Sequence, residues 1–288
     1  ATSPYPVFPL GMGMVTASLM NNGHEVKQFD FLQNEMSLNK LEEIVANVSP
    51  DLIGLSIRNI DNVNMIDEER YLDIVKSIVQ LLHKISRAPV ILGGSGFSIL
   101  PKPVLEQTGA DYGIVGEGEK AILEFVSTIE RGDKPETRII YAVKNLDRND
   151  LPITYYDREI LRFYQEKGCI TSVQTKRGCN KRCVYCSYPI LEGRKIRAFS
   201  PEKLVDDLLN LQQNMQAKHI FFVDSVFNDS KGVYLNLIDE MLRRKVHIPW
   251  MAFFTPDRVL NDEIVEKMKL TGLEAAEIGA DAASDTAL

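Results

Sequence analysis

The chain has 288 residues, 44% of them hydrophobic and 25% charged, with a formal net charge of −7; this balance supplies a sizeable core and allows one large domain or two medium ones at about 100–200 residues each. The acidic balance excludes a general binder of nucleic acid or anionic membrane, because a phosphate-covered partner requires a basic face, and no apolar run approaches the ~20 residues of a membrane-spanning helix. Only four cysteines occur, three of them within eight residues, which is not the disulfide framework of a secreted domain; with no charged-then-apolar leader at its start, the chain reads as cytoplasmic.

In the first third, short apolar or β-branched runs bounded by Gly, Pro, Asp or Asn predict strands at 26–30 (VKQFD), 52–56, 90–93 and 112–115. Amphipathic stretches between them predict helices at about 12–22, 38–48, 68–86, 103–108 and 119–131. Such alternation builds an α/β fold with a mostly parallel sheet covered on both faces. A doubly wound domain ordinarily opens on a central strand, yet Ala-Thr-Ser-Pro-Tyr-Pro leads almost directly into the first helix; the expectation is that the opening strand has been lost. A polar stretch from 132 to about 168 reads as a linker containing a strand at 138–143. Beyond it, strands are predicted at 170–176, 220–224, 247–253 and 275–279, with helices at 201–213, 232–243 and 262–270. Four such units do not close an eight-stranded barrel, so a partial barrel is expected. The division expected is 1–135, a linker over 136–168, and 169–288.

Cys179, Cys183 and Cys186 give the spacing CxxxCxxC directly after a predicted strand. Three thiols so close together in an acidic chain point to metal ligation. Structural zinc requires a fourth ligand, and the nearest candidates, Cys169 and His219, lie outside the loop. A cubane iron–sulfur cluster on three cysteines instead leaves one iron open to a substrate or cofactor. Lys176, Arg177, Lys181, Arg182, Arg194, Lys195 and Arg197 surround the loop and only Glu192 opposes them, a balance that favours thiolates. The alternative is a solvated basic face around zinc or free thiols.

The segment 175–197, TKRGCNKRCVYCSYPILEGRKIR, resembles the cluster loop of radical S-adenosylmethionine enzymes, including the aromatic Tyr185 before the third cysteine. The resemblance implies a [4Fe–4S] cluster on Cys179, Cys183 and Cys186, with S-adenosylmethionine chelating the fourth iron and Tyr185 near its adenine. One electron, passed to the cluster by an electron donor, would cleave the sulfonium to a 5′-deoxyadenosyl radical that abstracts a hydrogen atom. Residues 222–227 (FVDSVF) resemble the family's acidic segment with Ser225 in place of its second acid; Asp224 either contacts the methionyl amine or caps the loop. Arg258 is either a carboxylate contact or a surface charge. Glu277-Ile278-Gly279-Ala280-Asp281 stands where the family often has Gly-x-Glu-Ser, so Gly279 and Asp281 carry that contact over only in part. Cys169 is expected to be a buried free thiol, and His219, His247 and Trp250 belong to core or surface.

Glycines cluster at the ends of the predicted strands, where open α/β sheets bind ligands. This is not a dinucleotide fingerprint, because Gly11-Met12-Gly13 is followed by Thr16 where a third glycine would stand. Pro9-Leu10-Gly11, Gly23-His24-Glu25-Val26, Leu55-Ser56, Gly93-Gly94 and Gly116-Glu117-Gly118-Glu119, in that order, resemble the cobalamin-binding domain that precedes the barrel in one branch of radical S-adenosylmethionine enzymes. The resemblance implies a Rossmann-like (flavodoxin-like) domain with the corrinoid on its strand ends. Ser56, Gly93 and Gly94 would contact the nucleotide tail, and Gly116, Glu117, Gly118 and Glu119 would follow the corrin edge. No Asp-x-His-x-x-Gly occurs, so the usual histidine ligand to cobalt is not visible, and His24 reads as structural. Arg58 either faces the lower side of the cobalt without coordinating it, since a guanidinium stays protonated, or pairs with Asp61 or Glu69. The function implied is cobalamin-dependent radical methyl transfer to an unactivated carbon of an unread substrate. Two alternatives stay open: a radical enzyme of another type, for cyclisation or rearrangement, whose N-terminal domain docks substrate, and a metal-bearing structural or sensor protein.

Overall fold

The computed structural model describes residues 6–62, 66–142, 146, 151–256 and 260–279. Four short apolar runs pair in parallel as the first sheet: β1 (Ile53–Ser56), β2 (Val90–Gly93), β3 (Tyr112–Val115) and β4 (Ile139–Tyr141), side by side in chain order. Val90, Ile91 and Leu92 are buried on both faces of β2, which is why a central parallel strand reads as an unbroken apolar run. Helices Leu38–Val48, Tyr71–Ile85 and Pro101–Thr108 cover one face around Leu82, Leu92 and Phe97. Helices Leu10–Asn21 and Gly118–Glu130 cover the other around Ile91, Ile114 and Phe125. The predicted strand at 26–30 does not form. Its Gln28 amide donates to Thr16 Oγ1 at 2.8 Å, and among the described residues the segment finds no ladder partner, without which extended backbone is not a strand. Of the strand expected at 138–143, residues 139–141 pair, and Val143 lies outside the described residues.

The second half contributes β5 (Thr171–Val173), β6 (Lys176–Arg177), β7 (Arg197–Ala198), β8 (Ile220–Phe222), β9 (Trp250–Phe254) and β10 (Leu273–Ile278). β5, β8, β9 and β10 form a parallel sheet in that order, and β6 and β7 form a separate antiparallel ribbon. The strand expected at 170–176 is therefore broken in two. The cause is Asp224, whose carboxylate accepts from the Thr175 and Lys176 amides at 2.7 and 3.1 Å and draws them off the ladder. Helices Pro201–Gln213, Tyr234–Arg243 and Asp262–Thr271 back this sheet. Phe222, Phe227, Trp250 and Phe254 pack ring on ring beneath them, and the Trp250 indole donates to Thr271 at 3.1 Å, placing Trp250 in the core.

The stretch expected as a polar linker holds an unpredicted helix, Arg158–Glu166, capped by Asp157 Oδ1 on the amides of Glu159 and Ile160. Its Ile160, Leu161 and Tyr164 are buried in the second core. Helix Leu10–Asn21 lies between the halves, giving Met14 to the second core and Val15 and Leu19 to the first. The Cys169 thiol is half-buried and donates to the Pro6 carbonyl at 2.9 Å; burial raises its pKa. Among the described residues no helix is long and apolar enough to cross a membrane.

Candidate functional site

The ribbon is the stalk of the cysteine loop. β6 leads into Gly178 and Cys179, and β7 begins as the loop returns at Arg197. Gly178 sits at φ +88°, where a Cβ would stand 2.2 Å from the Lys195 carbonyl oxygen, so only glycine lets the two arms close so tightly. Cys179 N donates to Gly193 O at 3.2 Å and Arg194 to Lys181 O at 2.8 Å across the same opening. The three thiols are free; Cys183 is exposed and Cys179 and Cys186 are half-buried. Glu192 bridges the base, accepting from Gly178 N at 3.2 Å and the Gln174 amide at 2.8 Å. Burial pushes its carboxyl up against the opposing pull of Arg177.

The basic collar read around the loop is only partly there. Lys181, Arg182, Arg194 and Lys195 are exposed, but Lys176, Arg177 and Arg197 turn inward. Lys176 Nζ lies 3.0 Å from Asp224 and donates to Phe227 O at 2.6 Å. Asp224, 1% exposed, also accepts from the Thr175 hydroxyl. Its carboxylate thus pins the root of the ribbon, as in the loop-capping reading. Arg197 grips Glu117 with both terminal nitrogens at 2.5 and 2.8 Å, and Arg177 bonds Glu119. Burial works to raise the Glu119 pKa, but the Arg177 guanidinium outweighs it and holds the carboxyl below its usual range. The side chains of Glu117 and Glu119, expected along a corrin edge, are therefore engaged by the ribbon.

The strand ends of the first sheet are bare by contrast. A Cβ at Gly93 would meet no atom within 4 Å, whereas Gly94, at φ +92°, would place one 2.4 Å from Ile57 O. Gly116 also has positive φ and donates its N–H to Ser98 Oγ at 3.0 Å. Ser56 is exposed at the end of β1. Arg58, two residues on, is exposed, and among the described residues no ion pair joins it to Asp61 or Glu69, the alternative reading of its role.

Residues 1–126 match the B12 binding domain, and residues 173–288 match the Radical SAM superfamily. The chain joins a B12-binding domain to a radical SAM domain. An uncharacterised methyltransferase of Pyrococcus horikoshii is 25% identical over 96% of this chain and 61% of its own length. The tryptophan 2-C-methyltransferase of Streptomyces laurentii is 24% identical over 96% of this chain and 57% of its own. The solved radical S-adenosylmethionine methyltransferase TsrM from Kitasatospora setae, with tryptophan and a SAM analogue bound, superposes with a TM-score of 0.85 over 98% of this chain and 58% of that one, at 22% identity. This chain is homologous to cobalamin-dependent radical SAM methyltransferases, and it spans about three-fifths of the length of these relatives.

The residues present fit both groups. In the radical SAM domain, three thiols share one loop, the donor set of a cubane with one open iron; among the described residues no three His, Cys, Asp or Glu side chains, these thiols included, close on a single ion. Tyr185 is 69% exposed beside Cys186, and Gly279 is exposed just beyond β10. Arg258 and Asp281 lie outside the described residues. In the B12-binding domain, the open space over Gly93 is a cradle that any side chain would fill. His219 pairs with Glu274 at 3.2 Å and His247 contacts Leu270 O, both at the surface. Sequence reading missed Gln174 and Glu192 as clamps of the loop. The signal available for Glu192 was its standing as the one acid among the basic residues of the loop.

Proposed function

We propose that this chain is the cofactor-bearing part of a cobalamin-dependent radical S-adenosylmethionine methyltransferase acting on an unactivated carbon. The observation that carries the reading is one chain in which the cysteine ribbon of a radical SAM domain is seated directly on the glycine-ended sheet of a B12-binding domain. The named methyltransferases among its relatives supply the reaction class. When bound, the cluster with S-adenosylmethionine supplies one-electron chemistry and cobalamin supplies a methyl carrier.

Cys179, Cys183 and Cys186 hold the cluster, and Tyr185 flanks the adenine. Asp224 and Glu192 keep the loop in place from below. Ser56, Gly93 and Gly94 receive the nucleotide tail, and Gly116 and Gly118 keep the strand end low enough for the corrin edge. Arg58 faces the lower side of the cobalt; replacing it with Lys or Ala and finding cobalamin spectra unchanged would remove that role. The first domain runs through β4 and the second takes in helix Arg158–Glu166 ahead of 169–288, and the protein works in the cytoplasm with an external electron donor.

The test is anaerobic reconstitution with iron, sulfide and hydroxocobalamin, followed by metal counts and ultraviolet–visible spectra. About four iron and one cobalt per chain support the reading. Iron without cobalt favours a second reading, in which the first domain docks substrate; the engagement of Glu117 and Glu119 by the ribbon is the observation on its side. Zinc without iron overturns the enzyme assignment.

A further inference from the structure

Arg177 and Arg197 are direct cross-strand partners in the β6–β7 ribbon, and both are buried, at 6% and 4% exposure. Like charges directly opposite each other push a two-stranded ribbon apart, and a buried charge without a counter-charge is costly. Neither strand of the ribbon carries an acid, and Glu192 in the loop adds only a weaker attraction to Arg177. Glu117 and Glu119 neutralise the pair from the other domain, 80 and 58 residues away in sequence. Glu117 adds a fixed fork to Arg197, with its second oxygen also accepting from Leu146 N at 3.0 Å. Ser18 Oγ holds the Glu119 backbone carbonyl at 2.7 Å. The ribbon therefore closes only where the B12-binding domain presents these two carboxylates.

From this anchor a continuous path reaches the first cysteine. Arg177 Nε donates to Gln174 Oε1 at 3.1 Å, Gln174 Nε2 to Glu192 Oε1 at 2.8 Å, and Gly178 N to Glu192 Oε2 at 3.2 Å. Arg197 Nη2 closes the circuit on Glu192 O at 2.6 Å. Cys179 is the next residue.

We infer that Glu117 and Glu119 are positioning residues of the cysteine loop, and that through Arg197 and Arg177 they fix the separation between the cluster site and the cobalamin site. This rests on the assignment of those two sites above. Each cofactor is held by its own domain, but the distance between them is set by a four-membered buried ion network belonging to both. A misplacement of about 1 Å between reacting groups is enough to slow a coupled step severely, which gives this network its consequence.

The experiment reads that distance. The full chain is loaded anaerobically with iron, sulfide and hydroxocobalamin and then reduced. The separation between the paramagnetic cobalt and the reduced cluster is measured by pulsed electron-spin resonance in the unaltered chain, Arg197→Lys and Glu117→Gln. Arg197→Lys keeps the charge and loses the fork, so it is the variant expected to fold. The expected result is one narrow separation in the unaltered chain. In the variants, iron and cobalt content and each centre's own spectrum are retained, while the separation broadens and shifts to longer values. An unchanged distribution in Arg197→Lys overturns the inference, even if Glu117→Gln fails to fold. Loss of cobalt with iron retained in Glu117→Gln also overturns it, because Glu117 would then belong to the corrinoid site. Failure of the unaltered chain to take up iron or cobalt is a distinct result: it removes the assignment of the sites, and this inference with it.

Discussion

The two parallel sheets present the same kind of place, the carboxyl ends of their strands, and treat it in opposite ways. The first sheet ends in Ser56, in Gly93 with empty space above it, and in Gly116. The second ends under Asp224, Lys176 and the arginines of the ribbon, all buried and all paired. An open end selects a large flat group by shape, because the absence of side chains lets it lie against backbone. A closed end holds a loop by charge, and charge-assisted pairs fix orientation more tightly than apolar contact does. One half of the molecule makes room and the other holds a position.

The comparison breaks most visibly at the thiols. Cys183→Ser is expected to abolish cluster loading while leaving cobalt uptake intact, as read by iron and cobalt counts on one preparation. Equal loss of both metals would mean that the halves are not separately responsible. At the closed end, Asp224→Ala leaves the Lys176 ammonium buried without its partner, with a destabilisation of about 3–5 kcal/mol in chemical denaturation. A smaller cost would mean that Asp229, 3.9 Å from the same nitrogen, takes over.

Acid and base test the two ends of the charge ledger with opposite signs. Burial pushes the Asp207 carboxyl up to about 7. Its pKa is thus raised on folding, so the neutral form is the one the fold accepts, and stability falls as the pH rises from the unfolded value near 4 towards 7. Asp207→Asn removes that loss and is expected to stabilise by on the order of 4 kcal/mol above pH 8 and little below pH 4. Thermal melts across that range check it, and an equal gain at both ends would exclude the burial account. Glu119 runs the other way: its folded pKa is lowered, so its contribution is complete above the unfolded value and fades as the pH drops through the folded one. The smallest pair of effects sharpens the open end. Gly94→Ala forces a Cβ into Ile57 O at positive φ and should cost about 1–3 kcal/mol. Gly93→Ala meets nothing and should change stability by less than about 0.5 kcal/mol, yet weaken cobalamin uptake.

What the sequence shows and conceals follows from the range of each interaction. Runs such as 90–93 and 112–115 are legible because a buried parallel strand announces itself in consecutive residues, and those spans are reproduced residue for residue. The cysteine loop is legible because all three thiols fall within eight positions. Helix Arg158–Glu166 reads as polar linker because Arg, Glu and Gln dominate its outer face. Asp157 as a cap and the spacing of Ile160, Leu161 and Tyr164 were nonetheless there to be read. The segment 26–30 has the composition of a strand, but pairing is a property of the neighbour and not of the run. The roles of Glu117 and Glu119 were beyond reach for the same reason: a carboxylate in a glycine-rich turn looks the same whether it faces a ligand or an arginine 80 residues away.

The helix Leu10–Asn21 belongs to both cores, with Met14 on one side and Val15 and Leu19 on the other. Phe8, just before it, packs against Tyr156 and Tyr164. Neither half can then melt without uncovering apolar surface in the other, so heating should give one cooperative transition, and a protease nick between the halves should leave them associated. A second half made alone would carry an apolar socket where Phe8 and Met14 had been, and its first tendency would be to find another chain to fill it.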